Sequence, residues 1–202
     1  MGSEGRRENS ALSEQLLREG NRFDFFQAVR LLDHLAREHA LSGSALRRPP
    51  VGQDKPPDQE VVRFRVLPSL SFPAGPISQI RQIQHPAGRE SGGLPRIEML
   101  VTFIGLIGPS SVLPRHYTTL LIRRIRDKDL AARDFFDLFH HRIISLFYRA
   151  WEKYRLPFSY ERFRLDQSSD EPDPCTQALY CLVGLGTPKL RGRLEIDDEA
   201  FL

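Results

Sequence analysis

Five places in the chain carry residue types that could do chemistry: a glycine-rich turn, paired histidines, two cysteines, tandem aspartates and a run of arginines. The turn, Gly105-Leu-Ile-Gly-Pro-Ser-Ser, follows an apolar run and precedes a basic segment, which is the order of a phosphate cradle. Such a cradle needs Gly-Lys-Ser/Thr, so that backbone N–H groups and a lysine meet the anion. Here Pro109 follows Gly108 and removes one donor, and no lysine lies between Gly105 and Asp127. A nucleophile elbow at Ser110 lacks the second glycine that so tight a strand-to-helix turn requires. The glycines and prolines are therefore expected to reverse the chain and nothing more.

His140 and His141 lie close to Asp134 and Asp137. Zinc-binding helices place histidines at i and i+4 so that both rings share a face. Adjacent residues diverge by about 100°, which predicts one ring at the boundary of an apolar stripe and the other facing outward, with no metal. Cys175 and Cys181 are the only cysteines. Six positions apart on a helix, they are about 600° apart and on different faces. They read as two free thiols of a reducing compartment rather than a disulfide or a metal site. Asp197 and Asp198 open a helix, where acids favour the dipole without further role. Arg123, Arg124 and Arg126 are followed at once by Asp127 and Asp129, and no exposed aromatic platform accompanies them, so no nucleic-acid surface is expected. No residue emerges as catalytic, cofactor-binding or metal-ligating.

The elements that position these residues follow from pattern. With 202 residues, 40% of them hydrophobic, the chain can bury a core. Its net charge of +3 is spread among interleaved acids and bases, so no block reads as a nucleic-acid tail. No run reaches the roughly 18 apolar residues of a membrane span, and the first ten residues have no apolar signal core. Residues 1–11 are polar and expected to be disordered. A short helix over 13–19 breaks at Gly20. The next opens at Asp24, with Gln27 as its capping-box partner and Phe23 as a staple. Phe25, Phe26, Val29, Leu32, Leu35 and Ala36 form its apolar stripe.

Residues 42–60 hold four prolines and read as a loop. Residues 60–67 alternate, with Val62, Phe64 and Val66 on one face, and form a half-buried strand. Residues 68–73 continue it in extended form, and 77–83 form a strand or a helical turn. Residues 85–96 are a glycine-bearing connection, and 97–104 form a second strand, antiparallel to the first. Pro114 suits a helix start. A helix over 116–127 is predicted to turn Tyr117, Leu120, Leu121 and Ile125 inward and its arginines outward. Asp129 caps a long helix reaching Arg155, roughly 40 Å, which Pro157 ends. Its stripe is Leu130, Phe135, Leu138, Phe139, Ile143, Leu146, Phe147, Ala150, Trp151 and Tyr154. That length exceeds what a chain of this size needs, so part of the stripe is expected to pack on another polypeptide. A helix over 176–183 and an extended run over 190–196 complete the reading. The fold class is α+β: long helices, a small antiparallel sheet and extended loops, elongated rather than compact. The divisions are 1–19, 20–112, 113–160 and 161–202.

Four segments in this order resemble a known family: Phe23-Asp-Phe-Phe-Gln-Ala-Val-Arg-Leu-Leu32, Val62-Arg-Phe-Arg-Val-Leu-Pro-Ser-Leu-Ser-Phe-Pro73, Phe103 to Tyr117, and Asp134 to Tyr154. They are similar to TssG, the type VI secretion baseplate component also called ImpH or VasB. The likeness covers about residues 20–202. The family pattern continues for a further hundred residues or more, so it implies an N-terminal portion. It also implies a non-enzymatic, cytoplasmic scaffold that joins two copies of TssF, TssE and the adaptor TssK into a wedge around VgrG and Hcp. On that footing Phe135, Phe139, Phe147 and Trp151 of the long helix are the candidates for TssF. Leu70 and Phe72, in the extended stretch 67–76, are the candidates for TssK. Two other classes stay open. An enzyme would show a convergent polar pocket, and a nucleic-acid binder would show steeply salt-dependent retention.

Overall fold

The computed structural model describes residues 12, 14–41, 49–53, 59–83, 96–165, 174–193 and 200. It divides into two units, Met1–Arg149 and Ala150–Leu202. Within these lie α1 (described over 14–18), a 3-10 turn Gly20–Arg22, α2 (Phe25–Leu41), β1 (Val62–Val66), β2 (Ile77–Ile83) and β3 (Arg96–Val101). Then come α3 (Arg115–Arg126), α4 (Ala131–Lys153), α5 (Leu156–Leu165), α6 (Pro174–Val183) and a second 3-10 turn, Pro188–Leu190. The class is α+β, as the pattern implies. Residues 1–11, 85–95 and 194–199, for which disorder, a flexible connection, an extended run and a helix start were expected, lie outside the described residues.

The sheet is three-stranded with order β1-β3-β2. β1 and β3 pair in parallel, from Val62 opposite Ile97 to Val66 opposite Val101, which corrects the antiparallel pairing expected of them. The cause is β2, whose sequence Ile-Ser-Gln-Ile-Arg-Gln-Ile fits either the strand or the helical turn expected of 77–83. It is a strand, antiparallel to β3 and irregular between Ile77 and Gln79. The chain reverses into β2 and reverses again out of it, so β3 regains the direction of β1 and slots between the two.

Phe64, Met99 and Ile80 align across the three strands and are all buried. α2 supplies the cover. Its Phe25, Ala28, Val29, Leu32 and Ala36, at three- and four-residue steps, are buried. Phe25 meets Phe64 at 5.8 Å and Phe103 at 5.0 Å between ring centroids. Asp24 caps α2 by accepting the N–H groups of Phe26 at 3.0 Å and Gln27 at 3.4 Å. The Gln27 side chain does not close a capping box; it accepts from Arg30 instead. Gly20 lies against β2 so closely that a Cβ there would come within 2.8 Å of Ile80.

After β3 the turn at 105–113 folds on itself, with Val112 N–H donating to Gly105 O and Leu113 N–H to Leu106 O. Gly108 has φ of +105° and would place a Cβ 2.9 Å from Leu67 O, so only glycine fits. The Gly108 N–H donates to Thr118 Oγ1 at 3.2 Å. That contact rotates α3 from the orientation expected: Thr118 and Leu121 are buried, while Tyr117 and Leu120 are exposed.

α3 ends in a Schellman arrangement, with Lys128 N–H donating to Ile125 O and Asp129 N–H to Arg124 O. Asp129 then accepts the Ala131 N–H at 3.1 Å and starts α4. Lys128 occupies the left-handed position at φ of +63°, the one described non-glycine residue at positive φ.

In the second unit α5 carries Pro157 in its first turn, where a missing N–H costs nothing. This helix had not been anticipated. Leu190 belongs to a 3-10 turn instead of an extended run. Arg191 stacks on Tyr180 at 4.4 Å, donates to Leu185 O at 3.0 Å, and bonds the Gln177 side chain. Cys175 is half-buried and Cys181 exposed, both as free thiols. Replacing Lys128 by glycine removes a left-handed penalty of about 1–2 kcal/mol. The urea midpoint of Lys128→Gly should rise at unchanged slope, and an unchanged midpoint would mean that the Lys128 conformation carries no strain.

Candidate interaction surface

α4 is turned the unusual way round. The stripe that faces the first unit's interior is polar: Asp137, His140, His141 and Ser145 are buried, joined by Ile144 and Tyr148. Both histidines are fully interior, which corrects the expectation that one would face outward. Each ring serves a backbone amide. His141 Nδ1 accepts the Phe64 N–H at 3.2 Å, and His140 Nε2 accepts the Leu106 N–H at 3.0 Å. A neutral imidazole has one acceptor and one donor nitrogen, so the opposite nitrogens carry the protons. His140 Nδ1 faces Asp137 Oδ1 at 3.2 Å, and His141 Nε2 faces Glu60 Oε2 at 3.4 Å. The second contact is electrostatic rather than an aligned hydrogen bond.

Charge from the sheet completes the seam. Arg65 Nε lies 3.0 Å from Glu98 Oε2 and 3.6 Å from Asp137 Oδ2. Ser145 Oγ donates to His141 O at 2.6 Å. Arg149 and Arg142 reach the carbonyls of Gly52 and Gln53 at 2.8 and 3.2 Å. This seam was missed from the sequence, although 137, 140, 141, 144, 145 and 148 share a helical stripe of their own.

In the glycine-rich turn, two of the amides that an anion cradle would use are already taken. Its Leu106 and Gly108 amides are already held by His140 and Thr118. Ser111 Oγ donates to Leu113 O. Among the described residues no group of three or more His, Cys, Asp or Glu is arranged to hold a metal ion.

Opposite the polar seam, α4 presents its apolar residues to solvent. Phe135, Leu138, Phe139, Ile143, Leu146 and Phe147 are all exposed, Phe135 by 56% and Leu138 by 58%. Phe135 and Phe139 stack edge to face at 5.2 Å. Phe147 sits at the margin, 5.6 Å from Phe26 and 5.8 Å from Phe103. Trp151 belongs to the second unit and is half-buried there, stacked on Phe158 at 4.8 Å with Arg155 over its ring at 4.5 Å. Of the four long-helix candidates, Phe135, Phe139 and Phe147 are exposed and Trp151 is half-buried, and Leu138, Ile143 and Leu146 join the exposed set.

The second candidate surface is the loop between β1 and β2. Phe72 is 96% exposed and Leu70 53%. The loop is nonetheless pinned. Ser71 N–H donates to Ser69 Oγ at 3.1 Å, Thr102 Oγ1 to Gly75 O at 2.6 Å, and Thr102 N–H to Pro76 O at 3.1 Å. Beside Phe72 lies a groove of about 200 Å³.

Because the two histidines hold otherwise unpaired amides, His141→Phe should cost about 1–3 kcal/mol even though a ring still fills the space. Chemical denaturation measures it. A neutral result would show that the Phe64 amide finds another partner.

Large apolar side chains held outward in an ordered frame are the mark of a protein that works against other proteins. No curated protein and no solved structure matches the chain. A family model described as Type VI secretion, TssG, matches residues 19–202, and the chain belongs to that family.

Proposed function

We propose that this chain is a structural subunit of the type VI secretion baseplate wedge, bridging TssF and the TssK adaptor so that the platform for tube and sheath assembly forms. The observation that carries this reading is the outward apolar stripe of α4. A stripe from Phe135 to Phe147 that is exposed in the isolated chain is stable in a working protein only when another surface covers it. Its spacing at three and four residues suits a helix of a partner laid alongside, ridges into grooves. Phe135, Phe139, Phe147 and Trp151 are assigned to TssF, of which two copies attend each chain. Leu70 and Phe72 are assigned to TssK, and TssE completes the wedge around VgrG and Hcp.

The role is mechanical rather than catalytic: the side chains with reactive potential, His140 and His141, are committed to backbone amides inside the fold. No helix among the described residues is long and apolar enough to cross a membrane, and the site of action is the cytoplasm, where the wedge assembles.

Phe135→Asp combined with Phe139→Asp should abolish co-purification with TssF. Exposed substitutions of this kind change stability by within about 0.5 kcal/mol, so circular dichroism and the urea midpoint should hold. TssF retained at wild-type stoichiometry would refute the assignment. Independently, Leu70→Ser with Phe72→Ser should release TssK and spare TssF, read by affinity pull-down; undiminished TssK binding counts against the loop.

A further inference from the structure

The sheet has two outer edges, and the fold treats them differently. On β1, α4 lays His141 across the edge and takes the Phe64 N–H. Along β2, Ile77–Ile83, no hydrogen bond reaches the outer edge among the described residues. An unpaired edge is a row of donors and acceptors that an added strand completes. The groove beside Phe72 runs onto the start of this strand, because Ile77 and Ser78 line it together with Leu67, Pro73 and Thr102. At about 200 Å³ it falls below the roughly 300–1,000 Å³ of small-molecule sites, and so fits a side chain better than a cofactor.

Charge narrows the occupant. The exposed side chains of β2 are Ser78, Gln79, Arg81 and Gln82, one cation and no acid. Arg81 Nη2 donates to Gln79 Oε1 at 2.6 Å. Its cross-strand neighbour Glu98 is paired with Arg65 instead. Among the described residues Arg81 therefore has no carboxylate partner. Opposite charges facing each other across neighbouring strands are favourable.

We infer that the partner bound at Leu70 and Phe72 contributes an extended segment that adds to β2 as a fourth strand. It sets an apolar side chain into the groove beside Phe72 and a carboxylate against Arg81. This rests on the adaptor assignment above and gives it a binding mode: main-chain pairing for affinity, the groove and Arg81 for selection.

The test is hydrogen exchange on the full chain, alone and with purified TssK, joined to binding measurements on Arg81→Glu and Arg81→Lys. Amide exchange over residues 78–83 should slow by about tenfold or more on TssK addition. Arg81→Glu should weaken binding by about tenfold, since like charges would then face each other, and Arg81→Lys should keep most of it. Protection confined to residues 69–73, with 78–83 unchanged, overturns strand addition and leaves the adaptor assignment standing. Binding without protection in either segment overturns both, as does absence of any complex. Protection of 78–83 that appears in the chain alone as its concentration rises would assign the edge to a second copy and overturn the choice of partner.

Discussion

Two backbone N–H groups, those of Phe64 and Leu106, end on the imidazoles of consecutive residues of one helix, and the arrangement of the first unit depends on that pair of bonds. Consecutive side chains leave a helix about 100° apart. One ring therefore reaches the strand edge while the other reaches the turn after β3. Two such attachments fix the rotation of α4 about its own axis, where a single one would leave it free to roll. Asp137 steadies the second ring and meets Arg65, and Glu60 faces the first. Once that rotation is set, the stripe from Phe135 to Phe147 has nowhere to go but outward.

The hydrophobic effect alone would choose the opposite arrangement. Burying a large apolar side chain favours folding by about 1.5–3 kcal/mol, and α4 leaves six of them exposed. What holds the helix the other way is the cost of orphaning buried groups. Rolling it over would leave the Phe64 and Leu106 amides inside the fold without their imidazole acceptors. The two amide bonds therefore act as the latch, while Glu60 Oε2, His141 Nε2, Arg65 Nε and Asp137 Oδ2 in the same seam lack an aligned hydrogen bond. A latch of this kind specifies orientation more than it adds stability.

Periodicity in the sequence identifies which residues share a face but not which face turns inward, and this one distinction separates what was legible from what was not. The α4 stripe, whose residues from Phe135 to Phe147 are exposed, was readable as a set. The placement of His140 and His141 was not, because apolar-in is the default and here the inward stripe is polar. The same default misplaced Tyr117 and Leu120 on α3, where Thr118 turns inward to meet the Gly108 amide. Alternation in β1 gave its buried face correctly, since Val62, Phe64 and Val66 are all interior. It carries no information about neighbour or direction, and the parallel pairing with β3 follows from a segment, 77–83, whose pattern does not decide between strand and helical turn. Pro157 was read as a stop and is in fact part of a start, because the same missing N–H suits both positions. For the candidate surface, Phe72, which is exposed, was visible as a candidate apolar contact. The open edge beside it was not, since an edge exists only after strand order is known.

The docking of α4 also explains why the two edges of the sheet differ. A strand edge left bare invites unintended pairing, and folds usually blunt both. Here His141 takes one donor of the β1 edge, the Phe64 N–H, while no hydrogen bond reaches the outer edge of β2 among the described residues. The 3-10 turn at Gly20 packs against Ile80 but makes no hydrogen bond to that strand. What is exposed on β2 is one cation, Arg81, without a carboxylate partner among the described residues, and the polar side chains of Ser78, Gln79 and Gln82, a weak guard against association. The outward stripe of α4 and the open edge of β2 are thus not two separate exposures that the fold failed to repair. The outward stripe follows from where two adjacent histidines hold the longest helix, and that helix takes its strand amide on the opposite edge of the sheet from β2.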